Sequence, residues 1–274
     1  VVAGIASSGS AGDRGPTVDL DVSKLGYRAN DDEVQWFSYS ADGGAYDRDD
    51  TYGPIIDAAA NLRDQLRAMQ REEPGREVDL IAHSQGGVVV DAFLGLFYES
   101  SDPTLPPLGN VITVSSPHQG APLATAGEQI RASPVGHAAL DAVGEHVSSL
   151  PDPNSPAVRD LSERSKLIAA LRTRGLPEHF DVTSIGATED VVVPADHISL
   201  SGARETVVAV NELSQHSAVL HDPDGLRAMR AALEGRAPPC VGLDTALRSA
   251  VAPVVISRIE HSAGTGLSMV LGGG

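Results

Sequence analysis

The sequence predicts an α/β protein: a mostly parallel sheet of about six strands, helices on both faces, and a helical cap insertion. Three observations carry this prediction. Short apolar runs alternate along the chain with segments of helical apolar spacing. One such pair is joined only by Ser84-Gln85-Gly86-Gly87: the run Val78-Asp79-Leu80-Ile81-Ala82-His83 precedes it, and Val88, Val89, Ala92, Phe93 and Leu96 follow at helical spacing. An Ala-rich stretch, residues 123–176, is too long to be a plain connection between two strands.

The elements follow in order. Residues 1–5 read as a strand, and 6–12 as a small, flexible loop. Residues 18–27 hold a short helix, and 34–39 form a second strand. Residues 41–52 are rich in Gly and Asp; their acids lack the spacing and closing Glu of an EF-hand, so the stretch reads as a solvated loop. Pro54 suits the first position of a long helix with Ile55, Ala59, Leu62, Leu66 and Met69 on one face, ended by Pro74-Gly75. After the strand–turn–helix, residues 110–114 form a strand leading into Ser115-Ser116-Pro117-His118-Gln119-Gly120. The cap spans about residues 120–178, with helical pieces at 124–132, 137–150 and 155–174. Strands follow at 180–185 and 205–210. Asp222-Pro223 starts a helix carrying Leu226, Met229 and Leu233, stopped by Gly235. One domain therefore covers 1–240, and 241–274 form a C-terminal helix (246–259, weakened by Pro253) and a flexible tail.

Bulk properties exclude several classes. The 274 residues fit one large domain. Net charge is −17, from 37 acidic and 20 basic residues, which argues against nucleic acid and against electrostatic binding to anionic membranes. The lone Cys240 rules out an intramolecular disulfide and a multi-thiolate metal site. No run of roughly 18 apolar residues is present to span a membrane as a helix. The chain begins Val1-Val2 without Met, which reads as a segment of a longer precursor and leans towards a secreted or membrane-associated protein.

The turn at Ser84 is where chemistry is expected. A sharp strand-to-helix turn lifts a serine hydroxyl off the end of a buried strand, provided that its flanking residues are small. Ala82 and Gly86 are small, although the first position of such turns is usually Gly. The Gln85 N–H would then open a helix, where main-chain donors lack partners and the dipole is positive. The plain alternative is a Gly-rich turn with an idle serine. A serine needs a base, and the base needs an orienting carboxylate, in the order Ser, acid, His on this architecture. The acid is expected after the strand at 180–185; Asp190 is preferred over Glu189 and the more distant Asp196. The base is expected after the last strand. His216 is preferred over His221, because His221 precedes the helix cap Asp222 and a helix start disfavours a developing imidazolium. The second main-chain donor is expected after the first strand, at Ile5, with Ala6 as the alternative. His83 and His118 read as structural, and the remaining histidines have no metal-like spacing.

These residues resemble the α/β-hydrolase superfamily, in its lipase-like branch with GPI inositol-deacylase-like and small bacterial lipase sequences. The resemblance rests on Ala82-His83-Ser84-Gln85-Gly86-Gly87, Ser116-Pro117-His118-Gln119-Gly120, Asp190-Val191-Val192-Val193-Pro194 and His216-Ser217-Ala218-Val219-Leu220. It implies an esterase with Ser84, Asp190 and His216 as catalytic triad, an acyl-enzyme and no cofactor or metal. The expected partner is a small-molecule or lipid ester, with peripheral membrane contact through the cap. An acyltransferase, or a decayed hydrolase that only binds, are the rival functions. One departure stands out: such lipases carry His-Gly where this chain has Ala3-Gly4, which removes one brace from the oxyanion loop.

Overall fold

Among the described residues four parallel strands lie side by side in chain order: β1 (Val78–His83), β2 (Leu108–Val114), β3 (Val182–Ala187) and β4 (Arg204–Val208). The computed structural model describes residues 1–9, 20–28, 33–132, 151–152, 154–177, 180–210 and 215–237. The strands end together: His83 pairs with Val114, Val114 with Ile185, and Ala187 with Val208. Loops leaving these C-terminal ends therefore share one edge of the sheet.

The two other expected strands lie beyond β1 without forming ladders. Val2 makes a single parallel bridge to Ala82, through Val2 N–H to Ile81 O (2.8 Å) and His83 N–H to Val2 O (3.0 Å). Phe37 N–H in turn donates to Val1 O at 2.9 Å. Pairing stops early because the next carbonyls are claimed by side chains: Ala3 O accepts from Tyr39 Oη and Gly4 O from Ser7 Oγ.

Alternate strand residues feed opposite cores, as the pleat requires. Leu80, Ala82 and Val111 face one side, with α2 (Ile55–Glu72) and α3 (Gln85–Leu96). Ile81, Ile112 and Ile185 face the other, with the short α1 (Val22–Leu25) and the helix at Pro223–Leu233. Pro54 lies one position outside α2, and its carbonyl accepts the Asp57 and Ala58 amides that open the helix. From Gln85 to Gly95 every residue of α3 is buried. This explains its apolar character all round.

Between β2 and β3 lie α4 (Pro122–Ala132), α5 (Pro156–Asp160) and α6 (Lys166–Arg174). The predicted piece 155–174 is thus two helices. Serine hydroxyls start each one: Ser155 accepts from Val158 N–H and Ser165 from Ile168 N–H. Ile168 and Leu171 of α6 join the same core as Phe93, so this part of the insertion packs on the main body. The predicted helix at 137–150, the tail helix at 246–259 and the final linker lie outside the described residues. After β4 come α7 (Gln215–Ala218) and α8 (Pro223–Leu233), the latter capped by Asp222, which accepts the Asp224 and Gly225 amides. Leu226 and Met229 of α8 fill the second core. Burying one such side chain fully contributes about 1.5–3 kcal/mol. Among the described residues no helix is long and apolar enough to cross a membrane.

Candidate active site

Ser84 sits at the kink between β1 and α3 with φ 55° and ψ −127°. Left-handed backbone at a residue with a side chain costs about 1–3 kcal/mol, so the surroundings must hold it. They do so on both sides. Ser84 N–H donates to Val114 O at 2.9 Å, and Gly87 N–H to Ser84 O at 3.0 Å. Each neighbouring glycine is needed for space. A Cβ at Gly86 would lie 2.6 Å from the carbonyl oxygens of Val2 and Ala3, and one at Gly87 only 2.0 Å from Ser116 Oγ. A Cβ at Gly4 would approach Ser84 Cβ to 2.9 Å. Ala82, where glycine is usual, is fully buried in β1, so its methyl group is accommodated.

The Ser84 hydroxyl meets His216 of α7: His216 Nε2 lies 2.9 Å from Ser84 Oγ. On the other side of the ring, His216 Nδ1 lies 2.9 Å from Asp190 Oδ2. A carboxylate only accepts, so Nδ1 is the donor to Asp190, and in that tautomer Nε2 is free to accept from the Ser84 hydroxyl. Asp190 is buried, and its second oxygen accepts from Val192 N–H (2.9 Å) and Val193 N–H (3.0 Å). The apolar run after Asp190 thus turns back and fixes the carboxylate. The competing residues stand elsewhere. Glu189 is exposed, Asp196 is exposed beside His197, and His221 sits at the turn before α8, its N–H donating to Ala218 O.

The expected main-chain donors are those of Gln85 and Ile5. Gln85 is the first residue of α3, so its N–H has no acceptor within the helix. Ile5 follows Gly4, whose backbone lies against Ser84. The alternative donor, Ala6, is engaged: its N–H donates to Thr51 Oγ1 at 2.9 Å. Side chains brace the loop that carries Ile5. Tyr39 Oη donates to Ala3 O (2.6 Å), and Ser7 Oγ donates to Gly4 O (2.7 Å) and contacts Tyr46 Oη (3.1 Å).

Two histidines support this arrangement from inside. His83 is fully buried; burial, then the nearby His216, lowers its pKa to about 3 and keeps it neutral. Its Nε2–H donates to the main-chain oxygen of His216 at 2.9 Å. His118 lies deeper, with Nδ1 3.2 Å from Asp91 Oδ2 and Nε2 3.0 Å from Thr113 Oγ1. It gives the carboxylate inside α3 a partner. Sequence reading takes both as structural, and misses that His83 holds His216. The partner of His83 lies 133 residues along the chain, so no local pattern signals the contact. Among the described residues, no cluster of three or more His, Cys, Asp or Glu side chains is arranged to hold a metal ion.

No protein-family model matches the chain, nor does any curated protein sequence. Solved structures do. The mature lipase BlEst2 of Bacillus licheniformis is 17% identical, with a TM-score of 0.51 over 79% of this chain and 84% of that one. In its propeptide form the same lipase again gives 0.51 at 17% identity, over 80% of this chain and 46% of that one. The lin2722 gene product of Listeria innocua gives 0.51 at 14% identity, over 85% of this chain and 93% of that one. At these identities the likeness is one of fold. With the parallel sheet, the helices on both faces and a serine at the β1–α3 kink, the chain has the α/β-hydrolase fold.

Proposed function

We propose that this protein is a serine hydrolase that cleaves carboxylic esters through an acyl-enzyme. The observation that carries the reading is the continuous contact from Ser84 through His216 to Asp190, 2.9 Å at each step, at the end of the sheet where the loops gather. In this mechanism His216 Nε2 takes the Ser84 proton as Oγ attacks the ester carbonyl. The oxyanion is held by the N–H groups of Ile5 and Gln85, each such donor being worth about 2.7–4 kcal/mol in the transition state. The tetrahedral centre collapses, the carbonyl–alkoxide bond breaks, and His216 returns the proton to the departing alcohol. A water molecule then gives up a proton to His216 and attacks the acyl group, and Ser84 is released carrying the returned proton. Asp190 stays ionised and holds the ring.

An apolar acyl group suits the site. Two large apolar side chains are exposed in the segments that follow β2 and β3: Leu123 at the start of α4, and Val191 directly after Asp190. The substrate class of this reading is a small-molecule or lipid ester with a hydrophobic acyl chain.

The test combines labelling and turnover. A fluorophosphonate probe is expected to label the wild type and not Ser84→Ala, and p-nitrophenyl esters of increasing acyl length should be cleaved only by the wild type. Each additional buried methylene should add about 0.8 kcal/mol of binding until the pocket is filled. Ester cleavage by Ser84→Ala at the wild-type rate would remove the proposal.

A further inference from the structure

The turn at Asp49–Tyr52 reads in sequence as part of a solvated acidic loop, yet Thr51 within it is buried. Its hydroxyl donates to Arg48 O at 2.6 Å and accepts the Ala6 N–H at 2.9 Å. Its main-chain oxygen accepts Gln85 Nε2–H at 2.9 Å. Ala6 has φ 62°, a conformation that a residue with a Cβ adopts only under constraint. One residue therefore grips the loop carrying Ile5 and, separately, the first residue of α3.

We infer that Thr51 is a positioning residue that sets the distance between the two walls of the oxyanion hole, holding Ile5 through the Ala6 amide and Gln85 through its side chain. The inference rests on the hydrolase reading above. Two main-chain N–H groups can share one oxyanion only if their separation is fixed before the charge develops, because a donor that must move loses its advantage in the transition state. Among the described residues the Ile5 loop makes a single bridge to the sheet behind it, at Val2. Packing of the Val2 and Ala3 carbonyls on Gly86 limits how near the loop comes to α3, and Thr51, hydrogen-bonded to both walls, ties them together.

Thr51→Val keeps the shape and the main-chain oxygen but leaves the Ala6 N–H facing a methyl group. Thr51→Ser restores the hydroxyl. The measurements are kcat and KM for a short p-nitrophenyl ester, normalised to the serine labelled by fluorophosphonate at completion, and the inhibition constant of an alkyl boronic acid. Normalising to labelled serine separates mispositioning from a loss of folded protein. Thr51→Val should lower kcat per labelled serine about 10- to 100-fold, with KM little changed, since small misplacements cost up to about that much. Boronic acid binding should weaken in parallel, and Thr51→Ser should recover most of both. Wild-type kcat per labelled serine in Thr51→Val, or a Thr51→Ser as slow as Thr51→Val, overturns the inference. Should Thr51→Val fail to fold, Gln85→Met cuts the other tether while keeping the main-chain N–H, and a wild-type kcat there overturns it equally. A wild type that neither cleaves the ester nor takes the probe defeats the hydrolase reading and this inference together. An active wild type beside a fully active Thr51→Val defeats this inference alone.

Discussion

His83 donates its Nε2–H to the main-chain oxygen of His216 across 2.9 Å, with the two rings 5.0 Å apart centre to centre and tilted by 48°. The residue immediately before the proposed nucleophile thus holds the backbone of the proposed base. His83→Ala should leave that carbonyl without its donor and let α7 drift, lowering kcat/KM about tenfold, the equivalent of ~1.4 kcal/mol. His83→Gln can place an amide N–H near the same position and should retain most of the activity. Steady-state kinetics on the two variants checks this; equal rates in both would show that the contact does not matter.

The same burial gives a pH dependence of stability. Folded His83 has its pKa lowered from 6.5 to about 3, so below pH 6.5 the unfolded chain binds a proton that the folded chain refuses. Stability is then lost as pH falls, with the full contribution present above about 6.5 and the loss complete near 3. Between pH 6.5 and 5 this one group should cost about 2 kcal/mol. Urea unfolding at pH 7 and pH 5 should show a smaller drop for His83→Gln than for the wild type by about that amount.

His216→Ala should remove nearly all ester turnover, whereas His221→Ala should keep it within a fewfold. The distinction follows from which ring reaches Ser84 Oγ, at 2.9 Å for His216. Parallel rate measurements on the two variants decide it, and the reverse ranking would move the base to His221.

Asp190→Asn keeps the size of the group but turns one acceptor into a donor. An N–H facing His216 Nδ1 would favour the wrong ring tautomer, and about a 10⁴-fold loss of kcat is known from that change in a serine protease triad. We expect a loss of about 10³- to 10⁴-fold here, with the Tm within a few degrees of wild type. The pair Val192 and Val193 N–H can still donate to the remaining amide oxygen. A nearly normal rate would direct attention to Glu189.

Gly86→Ala should damage both stability and rate. The new methyl group would meet the Val2 and Ala3 carbonyl oxygens at 2.6 Å, and backbone cannot swing aside as a flexible side chain can. Overpacking of this kind typically costs about 1–3 kcal/mol. The displaced segment leads directly into Ile5, so kcat should fall more than thermal stability alone would explain. Denaturation curves and kinetics on the same preparation check both effects.

Much of this architecture was legible because its causes are local. Val78 to Leu96 announces a strand, a tight turn and a helix through apolar period and paired glycines, and β1 and α3 follow. Asp222-Pro223 announces α8 through a cap and a proline at its start. Sequence reading was weaker where a local pattern competes with a distant partner. Residues 155–174 look continuous in helical period, but Ser165 donates to Asp160 O and begins a new helix, giving a break that apolar spacing does not reveal. The segments 1–5 and 34–39 have strand character, yet Tyr39 and Ser7 take the carbonyls that a longer ladder would use.

The order of residues by itself determined which chemical groups are on offer: a serine on a turn too tight for bulk, a carboxylate after one strand, and two histidines after another. It could rank His216 above His221, and Ile5 above Ala6, but not close the distance between any of them. That was decided by packing in three dimensions, because a hydrogen bond needs its atoms within about 3 Å. Only the stacking of β1 to β4 aligns the loops that bring Ser84, Asp190 and His216 together, and only the fold turns Thr51 from an unremarked loop residue into the link between Ala6 and Gln85.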